Sequence, residues 1–197
     1  MKRLDLKLLR DLWTMKSQVL AIALVMASGV AMLIMSLSMV SSLQDTQQGY
    51  YAENRFAQVF TRLKRAPDAL AARLATIPGV AQVQTRVVVD VTLDLPGMPM
   101  PAVGRLLSLD ADPQAGLNRP HVRLGRPPER AARHEALVSE AFAAAHGLGP
   151  GDRVRAIING RVQALSIVGV AISPEYIYQI RPGEFIPDDR RFGVFWM

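Results

Sequence analysis

The chain has no cysteine among its 197 residues, which excludes disulfides, thiolate catalysis and cysteine-ligated zinc or iron–sulfur sites. The redox compartment stays open, because an extracytoplasmic domain can do without disulfides. Aromatic residues make up only 6% and are sparse beside the arginines. A formal charge of +6 therefore comes without the base-stacking side chains that nucleic-acid surfaces interleave with cations, and no nucleic-acid partner is expected. Catalytic constellations are also lacking. His121, His134 and His146 are far apart and none stands in H-E-x-x-H. Ser139 lies in Val-Ser-Glu-Ala-Phe, where a helix cap explains it better than a nucleophile. Gly147, Gly149 and Gly151 do not form a phosphate-binding loop, since Pro150 and Asp152 fill its key places and no lysine follows. Asp188 and Asp189 beside Arg190 and Arg191 read as opposite charges on a loop. The expectation is a chain that is not an enzyme, with no cofactor and no metal.

The most informative absence is charge between Lys16 and Asp45, in KSQVLAIALVMASGVAMLIMSLSMVSSLQD. As a helix, Val19–Leu43 reaches roughly 37 Å at about 1.5 Å per residue, against a hydrocarbon core of about 30 Å. A secretory signal has a shorter apolar region, roughly 7–15 residues, before a small-residue cleavage site, and Met39–Leu43 offers a poor one. The stretch reads as a retained transmembrane helix over residues 17–44. Lys2, Arg3, Lys7, Arg10 and Lys16 precede it, and only Arg55 follows within the next 18 residues. That bias places the N-terminus in the cytoplasm and everything after about residue 44 outside. Residues 1–16 carry an apolar stripe (Leu4, Leu8, Leu12, with Leu9 and Trp13) opposite the cations, as in a helix lying on a membrane surface. Ala23, Ala27 and Ala31 recur every fourth residue with Ser28 and Gly29 beside them, a small-residue face that a partner helix could approach.

Half of the residues are apolar, enough to bury a core in the part beyond the span. Gln44 to Tyr51 is polar and proline-free, so the helix is expected to continue as a stalk. Phe56 to Leu63 alternates as a strand does, Ala66-Pro67-Asp68 reads as a helix start, and Val80 to Leu95 favours strand, as does Val103 to Leu109. Asp110 to Arg133, rich in Pro, Gly and Arg, reads as a long loop between two subdomains, about 52–110 and 134–180. In the second, Glu135–Val138 is a strand, Ala141–Ala145 a helix, and Gly147, Gly151 and Asp152 mark a turn. Val154–Ile158 and Val162–Val170 flank Asn159-Gly160, a strong hairpin signal. The fold class expected is α+β: one N-terminal transmembrane helix followed by an extracytoplasmic domain of two small subdomains. Phe192 to Met197 stops inside an apolar stretch, which reads as a chain truncated at its C-terminus.

Two passages carry a family likeness: LKLLRDLWTMKSQVLAIALVMASGVAM and EALVSEAFAAAHGLGPGDRVRAIINGRVQALSIVGVAISPEYIY. Together they resemble the N-terminal half of the FtsX-like and MacB-like permease subunits of bacterial ABC transporters. The matching residues in the second are Val138, Ser139, Glu140, Ala143, Gly147, Gly151, Asp152, Ile167, Val168 and Gly169. The resemblance implies that residues 45–197 form a periplasmic core domain, set between the first and second helices of a permease in the bacterial inner membrane. It implies a cytoplasmic ABC ATPase subunit as partner, a homo- or heterodimer of permeases, contact with membrane lipid and a periplasmic adaptor. The role implied is export, lipoprotein release or transmembrane signalling. The residues alone leave an alternative open: a single-pass, membrane-anchored binding or adaptor protein.

Overall fold

The computed structural model describes residues 3–110, 116–130 and 132–197. Lys2, and the side chains of Arg3, Leu4 and Leu9 in the expected amphipathic stripe, lie outside the described residues, as do 111–115 and 131 of the expected loop. The chain divides into two compact units, Met1–Gly49 and Tyr50–Met197.

The first unit is helical. Helix α1 (Arg3–Thr14) ends at a turn on Met15, and helix α2 runs from Lys16 to Glu53. Thirty-eight residues without proline make a rod of about 57 Å. It is long and apolar enough to cross a membrane, and none of its residues is buried against protein. Two hydroxyls along it are spent on its own backbone: Ser28 Oγ donates to the Val25 carbonyl at 2.8 Å and Thr46 Oγ1 to that of Ser42 at 2.7 Å. That is how a serine or threonine is accommodated in an apolar helix without an outside partner.

The second unit is built on strands β1 (Val88–Asp94), β2 (Ala102–Leu107), β3 (His121–Gly125), β4 (Glu135–Ser139), β5 (Arg153–Ile158), β6 (Arg161–Ile172) and β7 (Phe192–Trp196). Helices α3 (Asp68–Ala75) and α4 (Glu140–His146) and a 3-10 turn, Pro174–Tyr176, complete it. Ladders run β6–β4–β7–β2–β1–β5, and β5 pairs again with β6, so six strands close into a ring. β2–β7 and β4–β6 are parallel and the remaining pairs antiparallel. β3 lies on β6 beyond the end of β5.

Strand alternation sorts the side chains. Val91 and Leu93 of β1, Leu106 of β2, Val138 of β4, Val154 of β5, Ile167 of β6 and Phe195 of β7 fall in one buried cluster, with Phe142 of α4 packed into it. In register they share one face, the inside of the ring. The opposite face of β7 is buried as well: Phe192, Val194 and Trp196 join Leu107, Leu137 and Ala171 in a second cluster covered partly by Tyr176 and Val122. This two-sided burial explains why the aromatic-rich 192–197 stretch has no polar alternation.

The Asn159-Gly160 turn forms as expected. Both residues have positive φ, 51° and 75°, and Ile158 pairs Arg161 across them, the two-residue hairpin these residues favour. Gly147 closes α4 in the left-handed region (φ 63°). The Gly151 and Ile167 amides reach the Ile167 and Asp152 carbonyls, and Asp152 Oδ2 accepts from the Gly149 amide at 2.8 Å, so this turn is stitched onto β6.

Other expectations are corrected. Phe56–Leu63 joins no ladder, and of Val80–Leu95 only Val88–Asp94 is strand. Both edges of β1 are already taken by β2 and β5, so the segments that precede it in sequence have no edge of β1 to pair with. Within the expected loop Asp110–Arg133 lies β3, short and flanked by Pro120 and Pro127, whose ladder comes from β6 and not from a pattern of its own. The strands assigned to two subdomains share one ring, because β5 pairs with β1 and β7 lies between β2 and β4. Ser139 stands at the N-cap position of α4 but makes no capping hydrogen bond. Its Oγ instead donates to Gln179 Oε1 at 2.7 Å and accepts from the Val194 amide at 3.2 Å.

Candidate functional site

The best-developed polar junction lies where α2 ends. A helix leaves its last carbonyls without intrahelical donors, and here all are met. Arg55 takes the left-handed conformation (φ 50°), its amide bonds the Ala52 carbonyl at 3.2 Å, and the Phe56 amide bonds that of Tyr51 at 2.9 Å. This is the Schellman arrangement, including its apolar contact: the Phe56 ring stacks on Tyr51 with centroids 4.5 Å apart. Glycine usually holds that left-handed position, so Arg55 carries local strain that the surroundings must offset.

A loop from elsewhere in the domain grips the same helix end. The Asn118 amide donates to the Arg55 carbonyl at 3.1 Å, the Arg119 amide to Asn54 at 3.0 Å, and Arg119 Nη2 to the Glu53 carbonyl. In return Asn118 Oδ1 accepts from the Ala57 amide at 2.8 Å. Asn118 also has positive φ (51°), which asparagine tolerates better than most residues. Asn54 and Asn118 are both buried. Gln84 braces the loop from behind, accepting from the Leu117 amide at 2.5 Å and donating to Asp110 at 3.3 Å. Two residues after Arg119 the chain enters β3, so the helix end is tied through one short loop to the sheet. A cavity of about 300 Å³ adjoins this clasp, with Asn54, Gln84, Arg119, His121 and Trp196 among its lining residues.

A second polar cluster sits on the outer face of β1, β2 and β7. Arg105, buried, makes a two-pronged contact with Asp90 (2.7 and 2.8 Å) and lies 5.3 Å from the Phe192 ring centre. The 3-10 turn docks beside it, through an Arg86–Glu175 ion pair and an edge-on Tyr176–Trp196 contact. The hydrogen bonds from Arg105 hold the Asp90 carboxyl below its ordinary value, against the opposing effect of burial, and the charges of Arg105, Arg62 and Arg181 add to the lowering. Burial raises the Tyr176 hydroxyl. A carboxylate depressed in the folded state stabilises above its unfolded pKa, about 3.9 for Asp, and that contribution is lost as pH falls through the lower, folded value. Asp90→Asn is therefore expected to be less stable than the parent at pH 7, the gap closing below about pH 4. Paired urea titrations at several pH values measure it; a pH-independent gap would contradict the ion-pair assignment.

The sequence-derived candidates fall in separate places. Ala23, Ala27, Ala31 and Gly29 lie along α2, all exposed. Gly147, Gly151, Asp152, Asn159 and Gly160 form the two turns bounding β5, away from the clasp. None of the clasp residues was singled out by sequence, and no group of three or more metal-ligating side chains occurs among the described residues.

A family model described as "MacB-like periplasmic core domain" matches residues 19–194. The chain belongs to the MacB-like periplasmic core domain family. The MacB-like domain is similar to two solved structures. One is the extracellular domain of the noncanonic ABC-type transporter YknZ from Gram-positive bacteria, with 16% identity over 65% of this chain and 60% of that one, TM-score 0.40. The other is the periplasmic region of MacB from Actinobacillus actinomycetemcomitans, with 13% identity over 68% and 56%, TM-score 0.39. The chain thus spans less than two thirds of either. No curated protein sequence matches it. With the long apolar helix ahead of it, the MacB-like domain belongs to a membrane protein and lies outside the cytoplasm.

Proposed function

We propose that this chain is the N-terminal part of an ABC transporter permease subunit, one that couples ATP hydrolysis by a cytoplasmic partner ATPase to motion of the MacB-like domain. The observation that carries the reading is the clasp. The last turn of the 38-residue helix, from Tyr50 on, belongs to the same compact unit as the domain, and Asn118 and Arg119 take up its terminal carbonyls, so the domain holds the end of the helix through which displacement would arrive. The chain itself does no chemistry in this scheme; hydrolysis resides in the partner. It sits in the bacterial inner membrane with its N-terminus cytoplasmic, and Ala23, Ala27 and Ala31 face a helix of a second permease subunit. Export, lipoprotein release and signalling to a periplasmic adaptor all use the same coupling.

The test uses the complete permease with its ATPase. The Asn118→Ala/Arg119→Ala variant keeps the backbone bonds of the clasp but removes its two side-chain ones, Ala57 amide to Asn118 Oδ1 and Arg119 Nη2 to the Glu53 carbonyl, at about 1 kcal/mol per hydrogen bond lost. The ATPase is expected to co-purify as before, while the ATP-dependent change in protease sensitivity of the domain falls several-fold. A permease fraction without any ATPase would favour the single-pass adaptor; an unchanged ATP response would remove the clasp from the coupling path.

A further inference from the structure

Residues 54–67 contain Arg55, Arg62, Lys64 and Arg65 and no acidic residue. From Phe56 on the run is neither helix nor strand and joins no ladder, so its alternation has no sheet to serve. Beyond the half-buried Phe56 its bulky apolar side chains face solvent: Val59 is 84% exposed, Leu63 58% and Phe60 48%. None of the ion pairs among the described residues engages Arg62, Lys64 or Arg65. Yet the segment is seated on the domain, through the Phe56–Phe60 ring contact at 5.6 Å and the Ala57 amide held by Asn118. Exposed bulky apolar groups interleaved with cations are the composition of a segment that inserts side chains among anionic headgroups.

We infer that Val59–Arg65 docks on the anionic lipid surface of the membrane that α2 crosses, Val59, Phe60 and Leu63 entering the headgroup layer and Arg62, Lys64 and Arg65 meeting lipid phosphates. This rests on reading α2 as a retained span. Chain length permits it: from Leu43 to Glu53 the helix rises about 15 Å, and an extended run of ten residues covers up to about 33 Å. The charge fits lipid and not a second copy of the same segment, whose cations would repel these. Docking here, next to the helix end held by Asn118 and Arg119, gives the domain a second foothold beside the stalk.

The chain has no cysteine, so single cysteines can be placed at will. Leu63→Cys, Val59→Cys and, within the span, Met32→Cys are each labelled with bimane in the full chain, reconstituted into phosphatidylcholine vesicles with or without phosphatidylglycerol. A phospholipid bearing a nitroxide near its headgroup, or along its acyl chain for Met32→Cys, serves as quencher. The Leu63 and Val59 labels are expected to be quenched in the anionic vesicles and not in the zwitterionic ones. Arg62→Gln/Lys64→Gln/Arg65→Gln should weaken surface occupancy by about 100-fold, roughly fivefold per cation, and abolish the quenching. High salt should do the same, the screening length shrinking from about 10 Å at 0.1 M to about 3 Å at 1 M. Acyl-chain quenching of the Met32 label in both compositions establishes the span. If that label is not quenched, the membrane reading falls and this inference with it. If it is quenched while neither exposed label responds to anionic lipid, the docking alone is overturned. Copper-catalysed Leu63→Cys dimers without lipid quenching would also overturn it, assigning the segment to a second copy.

Discussion

Gly193→Ala is expected to destabilise the domain by about 3 kcal/mol, and Gly193→Val to prevent its folding. Gly193 sits on β7 opposite Gly104 of β2, on the inner face of the ring. A Cβ there would stand 2.5 Å from Phe142 Cγ and 2.6 Å from its Cδ2. These are ring atoms near the root of a side chain, not the end of a flexible one. Phe142 cannot retreat easily, being fully buried and edge-on to Phe195 at 5.6 Å. To admit a methyl, α4 must lift off the ring, and overpacking of this kind costs typically 1–3 kcal/mol and more where nothing yields. Valine adds two further methyls to the same space, against a total stability of about 5–15 kcal/mol. Phe142→Ala alone should cost about 3–5 kcal/mol through the void it leaves. Combined with Gly193→Ala it should cost less than the sum, because the new methyl occupies part of that void. Urea midpoints of the full chain in detergent, with hydrogen exchange at β2 and β7, measure all three; strict additivity would mean α4 does not pack on Gly193.

That glycine shows where sequence reasoning stops. Features set by neighbours in the chain were legible: the long charge-free helix, the Asn159-Gly160 hairpin, α4 with its glycine stop, and the α+β class. Each follows from residues within one turn or one period. Features set by distant strands were not. Ring closure depends on β5 meeting both β1 and β6, and no local signal says that an alternating run such as Phe56–Leu63 will find its place taken. β3 has too little pattern to be seen without β6. The clasp was equally hidden, since Asn118 and Arg119 read as ordinary loop residues until the end of α2 is brought to them. The available hint was asparagine in a proline-rich loop, a residue suited to left-handed backbone, but the sequence does not name its partner.

Ser139 carries the same lesson into the second large effect. Read locally, it is a helix cap, and Ser139→Ala would fray α4 at a cost of about 1 kcal/mol, with Ser139→Asp nearly neutral because aspartate caps as well. The structure assigns its hydroxyl otherwise. β4 stops pairing with β7 after Val138↔Phe195, and Ser139 Oγ continues the ladder by accepting from the Val194 amide while donating to Gln179. Ser139 is 1% exposed and Gln179 6%, so water does not replace what alanine removes. Two buried polar groups lose their partner at about 1–3 kcal/mol each, which puts Ser139→Ala at roughly 2–6 kcal/mol. Ser139→Asp should be worse still, since it sets a charge in the same dry space. Exchange of the Val194 amide should quicken by about 100-fold, the equivalent of roughly 3 kcal/mol, while first-turn amides of α4 change little. Loss of the Gln179 bond also releases the chain that presents Tyr178 and Phe185, which are 77% and 96% exposed, so proteolysis between Gln179 and Asp188 should rise in parallel. If Ser139→Asp matches the parent and only α4 frays, the hydroxyl is a cap after all and the link between β4, β7 and this loop does not exist.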